Sequence, residues 1–416
     1  MSKFYVTGNK KLQGNVYISG SKNSALPILF MTILTKEKVI IDNVPKLTDI
    51  NIALKLLLSL GSKIKYKKKI FIDTSLITIY YPPYELIKKI RASIWILAPL
   101  LTRFGKAKIF FPGGCKIGNR PIDLHIDGLI QLGAKIILNK NCIFASIKKR
   151  FQGKYIFIKK ISVGATITIM SAAVLAEGLT IIDNAACEPE IIDVAKFLNT
   201  LGAKIIGAGT NKIIIFGVIQ LNGGKYKITS DRIETGTFLI AAAISQGYII
   251  CHNTHPKNMY NITHKLSETG AIIKNGKNWI SLDMRGKRPH SINVCTEPYP
   301  GLPTDMQALF TLLNTISIGI GKITETIFEN RFMHIKELIN MGAKITIKNN
   351  SAICYGIPKL SSNHVFSSDL RASAMLVLAG CIADGKTTVH HTEHLMRGYE
   401  SIVKKLNNLG ADIIIK

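Results

Sequence analysis

Leu60-Gly61-Ser62-Lys63-Ile64 returns in closely similar form five more times along the chain. The copies read Leu132-Gly133-Ala134-Lys135-Ile136, Leu201-Gly202-Ala203-Lys204-Ile205, Thr269-Gly270-Ala271-Ile272-Ile273, Met341-Gly342-Ala343-Lys344-Ile345 and Leu409-Gly410-Ala411-Asp412-Ile413. Their glycines stand 72, 69, 68, 72 and 68 residues apart, so six units of about 70 residues fill the 416-residue chain. Each phrase has the pattern of a helix C-terminus, a glycine stop and a following strand. Ile50–Leu60 places apolar residues at helical spacing ahead of Gly61, and short strands are predicted at Lys69–Asp73, Lys212–Phe216 and Ala352–Tyr355.

A second helix is predicted to open 37–42 residues ahead of each glycine. The openings are Ser21-Lys22-Asn23-Ser24, Arg91-Ala92-Ser93, Val163-Gly164-Ala165-Thr166, Asp231-Arg232-Ile233-Glu234, Thr304-Asp305-Met306-Gln307 and Leu370-Arg371-Ala372-Ser373. The residues after these openings are small and apolar, as in Ile169–Ala176 and Ala374–Cys381, which predicts buried helices. A 70-residue unit of strands and two helices is too long for the usual solenoids, whose ends would also carry polar caps. Closed assemblies fit better, with three units in each of two domains. A helix start exposes unpaired N–H groups and a partial positive charge, which favours phosphate and carboxylate. Ordinary N-terminal polarity explains any one such start. Lys22, Arg91, Arg232 and Arg371 recurring there, with Gly164 in the third unit, point instead to an anion site.

The chain carries 54 Lys+Arg against 26 Asp+Glu, a net charge of +28. Of the basic residues 44 are Lys and 10 are Arg, spread along the whole length together with abundant Ile and Asn. That joint excess is what compositional drift produces, and aromatics at 7% offer few stacking platforms, so nucleic acid is not expected as a partner. Arginines that survive such drift mark sites needing a bidentate fork. Apolar residues at 47% can bury a large core. No apolar run approaches a membrane span, the first thirty residues lack a leader, and seven scattered cysteines do not make a disulfide framework. A soluble, cytoplasmic protein is expected.

Pro112-Gly113-Gly114-Cys115-Lys116-Ile117-Gly118-Asn119-Arg120-Pro121 holds three glycines and two prolines in ten residues, which predicts a loop. A cysteine there, beside Lys116 and near Arg120, is expected to be accessible and open to a lowered pKa. The other six lie mostly in apolar surroundings and are expected to be inert. Gly207-Ala208-Gly209 lacks the third glycine of a dinucleotide fingerprint, and Gly321-Lys322 lacks the remainder of a phosphate loop. His390-His391-Thr392-Glu393-His394 has the wrong spacing for a zinc motif. No cofactor and no metal are expected.

Ile18-Ser19-Gly20-Ser21-Lys22-Asn23-Ser24-Ala25-Leu26-Pro27, the Cys115 loop continuing through Ile122-Asp123-Leu124-His125, and Ser162-Val163-Gly164-Ala165-Thr166 closely resemble one family. Pro303-Thr304-Asp305-Met306-Gln307, Thr324-Glu325-Thr326-Ile327-Phe328-Glu329-Asn330-Arg331-Phe332 and Asp369-Leu370-Arg371-Ala372-Ser373 extend the resemblance from end to end. The family is the UDP-N-acetylglucosamine 1-carboxyvinyltransferases. The resemblance implies an α/β (α+β in some schemes) fold: a two-domain inside-out α/β barrel of six repeats, three per domain. One domain would span residues 21–229 and the other 1–20 plus 230–416, with the active site in the cleft between them.

The implied reaction moves the enolpyruvyl group of phosphoenolpyruvate to the sugar 3′-hydroxyl by addition and elimination, releasing phosphate. This is the first committed step of peptidoglycan precursor synthesis. By resemblance Asp305 is the base and Cys115 the acid, and Cys115 can also carry a covalent phospholactoyl or cysteinyl-pyruvate adduct. Lys22, Arg120 and Arg397 would contact phosphate, Arg371 the enolpyruvyl carboxylate and Asn23 the substrate. Arg91, Arg120, Pro121, Ile122, Asp123, Leu124, Lys160, Ile161, Ser162, Val163, Gly164, Asp305, Ile327 and Arg331 would form the nucleotide-sugar site. Cys187 and Met396 depart from the family's usual arginine and acid. The implied partners are these two substrates, with no nucleic acid and no membrane. Two alternatives stand beside this reading: a 3-phosphoshikimate 1-carboxyvinyltransferase, and a repeat protein that binds polyanions. A further expectation concerns Asp305, which as the opener of a buried helix would be kept ionised by the dipole, or would merely cap that helix.

Overall fold

The computed structural model describes residues 3–113 and 122–416. All six repeat glycines have positive φ, between 89° and 109°. At Gly61 the glycine N–H donates to Leu58 O (3.0 Å) and the Ser62 N–H to Leu57 O (3.1 Å), closing the helix in a Schellman motif. The same pair of bonds recurs at Gly133, Gly202, Gly342 and Gly410. The third helical residue from the end is leucine in every unit. Leu57, Leu129, Leu198, Leu266, Leu338 and Leu406 are at most 1% exposed, so each helix end is anchored in the core. A strand follows each stop, as at Lys63–Tyr66, Lys204–Ile206 and Lys344–Lys348. A Cβ on Gly133 would meet nothing within 4 Å, so Gly133→Ala isolates the backbone term. It is expected to cost about 1–2 kcal/mol, seen as a lower thermal midpoint with unchanged turnover.

The second set of helices also forms where the pattern places it. Lys22–Met31, Val163–Ala173, Arg232–Ile244 and Leu370–Ile382 are capped by the side chains of Ser21, Ser162, Asp231 and Asp369. At the other two openings the first turn is 3-10, Arg91–Ile96 and Thr304–Met306, before the α-helices Leu97–Phe104 and Gln307–Ile316. Every residue of Arg232–Ile244 and of Gln307–Ile316 is buried. A helix buried all round needs cover on every side, and neighbouring buried helices and the sheets together supply it.

The chain divides into two compact units, residues 20–113 with 122–229, and residues 3–19 with 230–416. Each has its own hydrophobic core and, among the described residues, three sheets. Five sheets share one plan. Val39–Asp42 pairs in parallel with Gly224–Lys227 and antiparallel with Ile70–Asp73, which pairs antiparallel with Lys63–Tyr66. The sixth, around Lys106–Phe110, has three strands. Strands alternate buried and exposed residues, as in Leu179–Asp183, so the sheets form the outer layer together with the half-exposed repeat helices such as Thr48–Ser59, and the second set of helices forms the interior. This is the inside-out α/β barrel.

Asparagines lock the strand ends. Asn43, Asn184 and Asn253 are left-handed (φ 55–56°), and their amides donate to the carbonyls of Ile228, Ile158 and Ile18. No described helix is long and apolar enough to cross a membrane.

Candidate active site

Asp305 lies in the 3-10 turn ahead of Gln307–Ile316, and its side chain makes no cap. Its carboxylate is instead held between two arginines, with Arg331 Nη2 2.6 Å from Oδ1 and Arg371 Nη2 3.0 Å from Oδ2. Both guanidinium side chains are 6% exposed while the Asp305 side chain is 27% exposed, so the acid is the accessible member of the trio. Burial alone would raise the Asp305 pKa. The charges of Arg371 and then Arg331 outweigh it and hold the carboxyl well below the usual carboxylate range. The carboxylate's ionisation is thus supported by a pair of arginines, and its side chain does not cap the helix.

The surrounding residues fix this trio. Buried Glu325 accepts the Thr304 hydroxyl (2.7 Å) through Oε2 and the N–H groups of Ile327 (2.8 Å) and Phe328 (3.1 Å) through Oε1. It therefore ties the turn of Asp305 to the segment leading to Arg331. Asp369 accepts the N–H groups of Arg371 (2.9 Å) and Ala372 (3.1 Å), and the Arg371 guanidinium sits 5.3 Å over the Tyr399 ring. Nη1 of Arg331 and Nη1 of Arg371 are buried with no hydrogen-bond partner among the described residues. Two cations beside one carboxylate leave a net positive charge with unused donors, which suits an anion. Arg397 ends the Thr392–Arg397 turn, packed on the Leu370–Ile382 helix, and is half-buried beside exposed Met396.

In the other unit Lys22 is the first residue of its helix, its Nζ 3.6 Å from buried Asp49 Oδ2, and Asn23 beside it is half-buried. Arg91, Ile122–Leu124 and Ser162–Gly164 are brought together around His125. The Trp95 indole N–H donates to Gly164 O (3.2 Å), and His125 Nδ1 lies 2.7 Å from Thr168 Oγ1. A Cβ on Gly164 would lie 2.7 Å from His125 Nε2, so only glycine lets this helix start approach the ring. Asp123, Lys160 and Ile161 are exposed, while Ser162 and Val163 are half-buried. Cys115, Arg120 and Pro121 lie outside the described residues.

Burial, and then the charge of Arg91, push the His125 imidazole down to about 4. An unfolded histidine takes up its proton near pH 6.5, the folded one only near 4. The stability that neutral His125 confers is complete above about pH 6.5 and is lost as pH falls toward 4. His125→Gln is expected to flatten the fall of the thermal midpoint across that window. A slope as steep as before would assign the proton uptake to other groups, of which His334, also pushed down to about 4 by burial, is the first.

Sequence reading missed Glu325, His125, Trp95 and Asp49 as supports. Glu325 and His125 stand inside the family motifs, yet Glu325 meets Thr304 across 21 residues and His125 meets Thr168 of the next repeat, so neither pairing left a local signal. Of the six described cysteines four are buried, Cys187 is half-buried and Cys295 is exposed. Burial raises the thiol pKa of Cys187 and Cys295, and pushes Cys354 and Cys381 up to about 12. A groove of about 480 Å³ on an outer sheet face, lined by Tyr80, Lys106, Lys108, Lys135 and Phe144, contains none of the candidate residues.

The fold recurs in the enolpyruvyl transferase NikO from Streptomyces tendae, with a TM-score of 0.90 at 21% identity, covering 100% of this chain and 99% of that one. Residues 6–406 match the family model for EPSP synthase (3-phosphoshikimate 1-carboxyvinyltransferase). These define the class as the enolpyruvyl transferases. Within it, the chain is 71% identical to a UDP-N-acetylglucosamine 1-carboxyvinyltransferase of Buchnera aphidicola subsp. Acyrthosiphon pisum (strain 5A), over 100% of both chains. It is 59% identical to the one from Baumannia cicadellinicola subsp. Homalodisca coagulata, over 99% of both. The chain belongs to the UDP-N-acetylglucosamine 1-carboxyvinyltransferase family.

Proposed function

We propose that the chain transfers the enolpyruvyl group of phosphoenolpyruvate to the 3′-hydroxyl of UDP-N-acetylglucosamine through the residues named above. Family membership at full length supports this activity over the shikimate alternative and over a polyanion-binding repeat protein. The observation that carries the site is the Asp305 carboxylate, accessible and ionised between buried arginines with spare donors.

Addition needs a base for the sugar hydroxyl, an acid for the methylene carbon and cations for phosphate and carboxylate. Asp305 takes the hydroxyl proton as the oxygen bonds to the enol carbon, and the Cys115 thiol protonates the methylene. Elimination reverses that proton transfer and releases phosphate, held by Lys22, Arg120 and Arg397. A carboxyl held far below neutral is a weak base. When Arg371 turns its donors to the substrate carboxylate it withdraws charge from Asp305, whose basicity then rises as the proton must be taken. Asn23 contacts substrate, and Arg91, Arg120–Leu124, Lys160–Gly164, Asp305, Ile327 and Arg331 hold the nucleotide-sugar. The +28 charge favours these anionic substrates, without a nucleic-acid or membrane partner. The reading places the protein in the cytoplasm, at the start of cell-wall precursor synthesis and so of cell shape and division, with Cys115 as the group an epoxide such as fosfomycin would alkylate.

The test is phosphate release from phosphoenolpyruvate by the purified protein. Release is expected with UDP-N-acetylglucosamine and none with shikimate 3-phosphate. The reverse pattern would move the chain to the sister activity.

A further inference from the structure

Asp193 lies on the Pro189–Thr200 helix, is 6% exposed, and belongs to none of the sequence motifs. Its Oδ1 accepts the Tyr226 hydroxyl at 2.6 Å, and its Oδ2 accepts the Thr229 N–H at 3.2 Å. Thr229 is the last residue before the chain leaves this unit, and its carbonyl accepts the Ser21 N–H at 2.7 Å. Ser21 is the cap of the Lys22–Met31 helix, its carbonyl accepting the Ala25 N–H (2.9 Å) and its hydroxyl the Ser24 N–H (3.4 Å). Asp193 is thus joined through two hydrogen bonds, by way of the Thr229 backbone, to the residue that precedes Lys22 and Asn23.

The same backbone demand is met again in the other unit. Ile18-Ser19-Gly20-Ser21-Lys22 corresponds to Ile228-Thr229-Ser230-Asp231-Arg232. The Ser19 N–H is taken by a buried carboxylate, Glu234 Oε2 at 2.8 Å, and the Ser19 carbonyl accepts the N–H of the helix cap Asp231 at 2.9 Å. Glu234 belongs to the first turn of the capped helix and Asp193 to a neighbouring helix, so the two acids do not correspond in the repeat. One requirement answered from two different positions argues that holding this crossing segment matters. A buried carboxylate is costly to desolvate, and generic packing would not call for it.

We propose that Asp193 is a positioning residue for phosphoenolpyruvate, acting through Thr229 and Ser21 to set the start of the helix that carries Lys22 and Asn23. The proposal rests on the reading that these two residues contact that substrate. Removing the carboxylate leaves the Thr229 N–H without its acceptor and frees the cap, and small misplacements of binding groups have large kinetic effects. Asparagine can keep both bonds, with its oxygen facing Thr229 and its amide donating to the Tyr226 oxygen.

Steady-state kinetics of Asp193→Ala, Asp193→Asn, Lys22→Ala and the double variant Asp193→Ala/Lys22→Ala, with melting curves, test it. Asp193→Ala is expected to raise KM for phosphoenolpyruvate about tenfold, with kcat and KM for UDP-N-acetylglucosamine changed less than about twofold. Asp193→Asn should restore the KM. In the Lys22→Ala background the added effect of Asp193→Ala should shrink to less than about twofold, the sign of one shared route. An unchanged KM in Asp193→Ala, with a raised KM in Lys22→Ala, overturns the proposal alone. An unchanged KM in Lys22→Ala overturns the reading of Lys22 beneath it. A full Asp193→Ala effect persisting without Lys22 also overturns the proposal. If Asp193→Ala does not fold, Tyr226→Phe, which removes one anchor of the carboxylate, should shift the same KM about threefold; no shift counts against the route.

Discussion

Asp305→Asn is expected to lower turnover by about 10²-fold or more and to lower the thermal midpoint as well. The activity loss follows because an amide cannot take the hydroxyl proton. The stability loss follows from the arginines. Arg331 and Arg371 are both 6% exposed and share this one carboxylate, so a neutral amide leaves two buried cations without their counter-charge. Asp305 is itself partly open to solvent at 27%, so the midpoint should fall by on the order of 5 °C rather than the chain failing to fold. The sign with pH is a further check. Because the folded carboxyl is held well below its usual range, its stabilisation is present above the unfolded carboxyl pKa near 4 and is lost as pH falls below that. The midpoints of wild type and Asp305→Asn should therefore converge in acid. Steady-state phosphate release and melting scans from pH 3 to 8 measure both. Near-normal turnover would remove Asp305 as the base.

Cys115→Ala should likewise cost about 10²-fold or more in turnover, since no thiol remains to protonate the methylene carbon. Here melting should be unaffected, because the proposed role is chemical. Labelling with an epoxide such as fosfomycin, followed by mass analysis, should give one adduct on the wild type and none on the variant. The other cysteines support that expectation: Cys142, Cys251, Cys354 and Cys381 are buried, and exposed Cys295 has its thiol pKa raised by partial burial and then by Glu297. A surviving adduct on Cys115→Ala would identify a second reactive thiol, with Cys295 the first to examine.

Asp305, Cys115, Arg331 and Arg371 all stand in motifs that the sequence shows, but that the two arginines pair with Asp305 is not written there. Arg331 and Arg371 come from segments 26 and 66 residues further on, and Glu325 reaches back to Thr304 across 21 residues. Nothing local says that three charged groups will meet, or that the acid will ignore its own helix. The same holds for Asp193, whose hydrogen bond to Thr229 spans 36 residues.

The repeat, by contrast, was readable because it is local chemistry. A glycine that stops a helix must take positive φ, a leucine a turn earlier must find the core, and both demands recur within a few residues in every unit. The sixfold architecture, the buried helices and the basic character of their first turns come from such short-range rules. Which charges pair, which donors are left over for an anion and which carboxylate holds the crossing segment depend on how separate repeats pack. Burial makes those choices, because a charge taken out of water must find its partner wherever the fold places one.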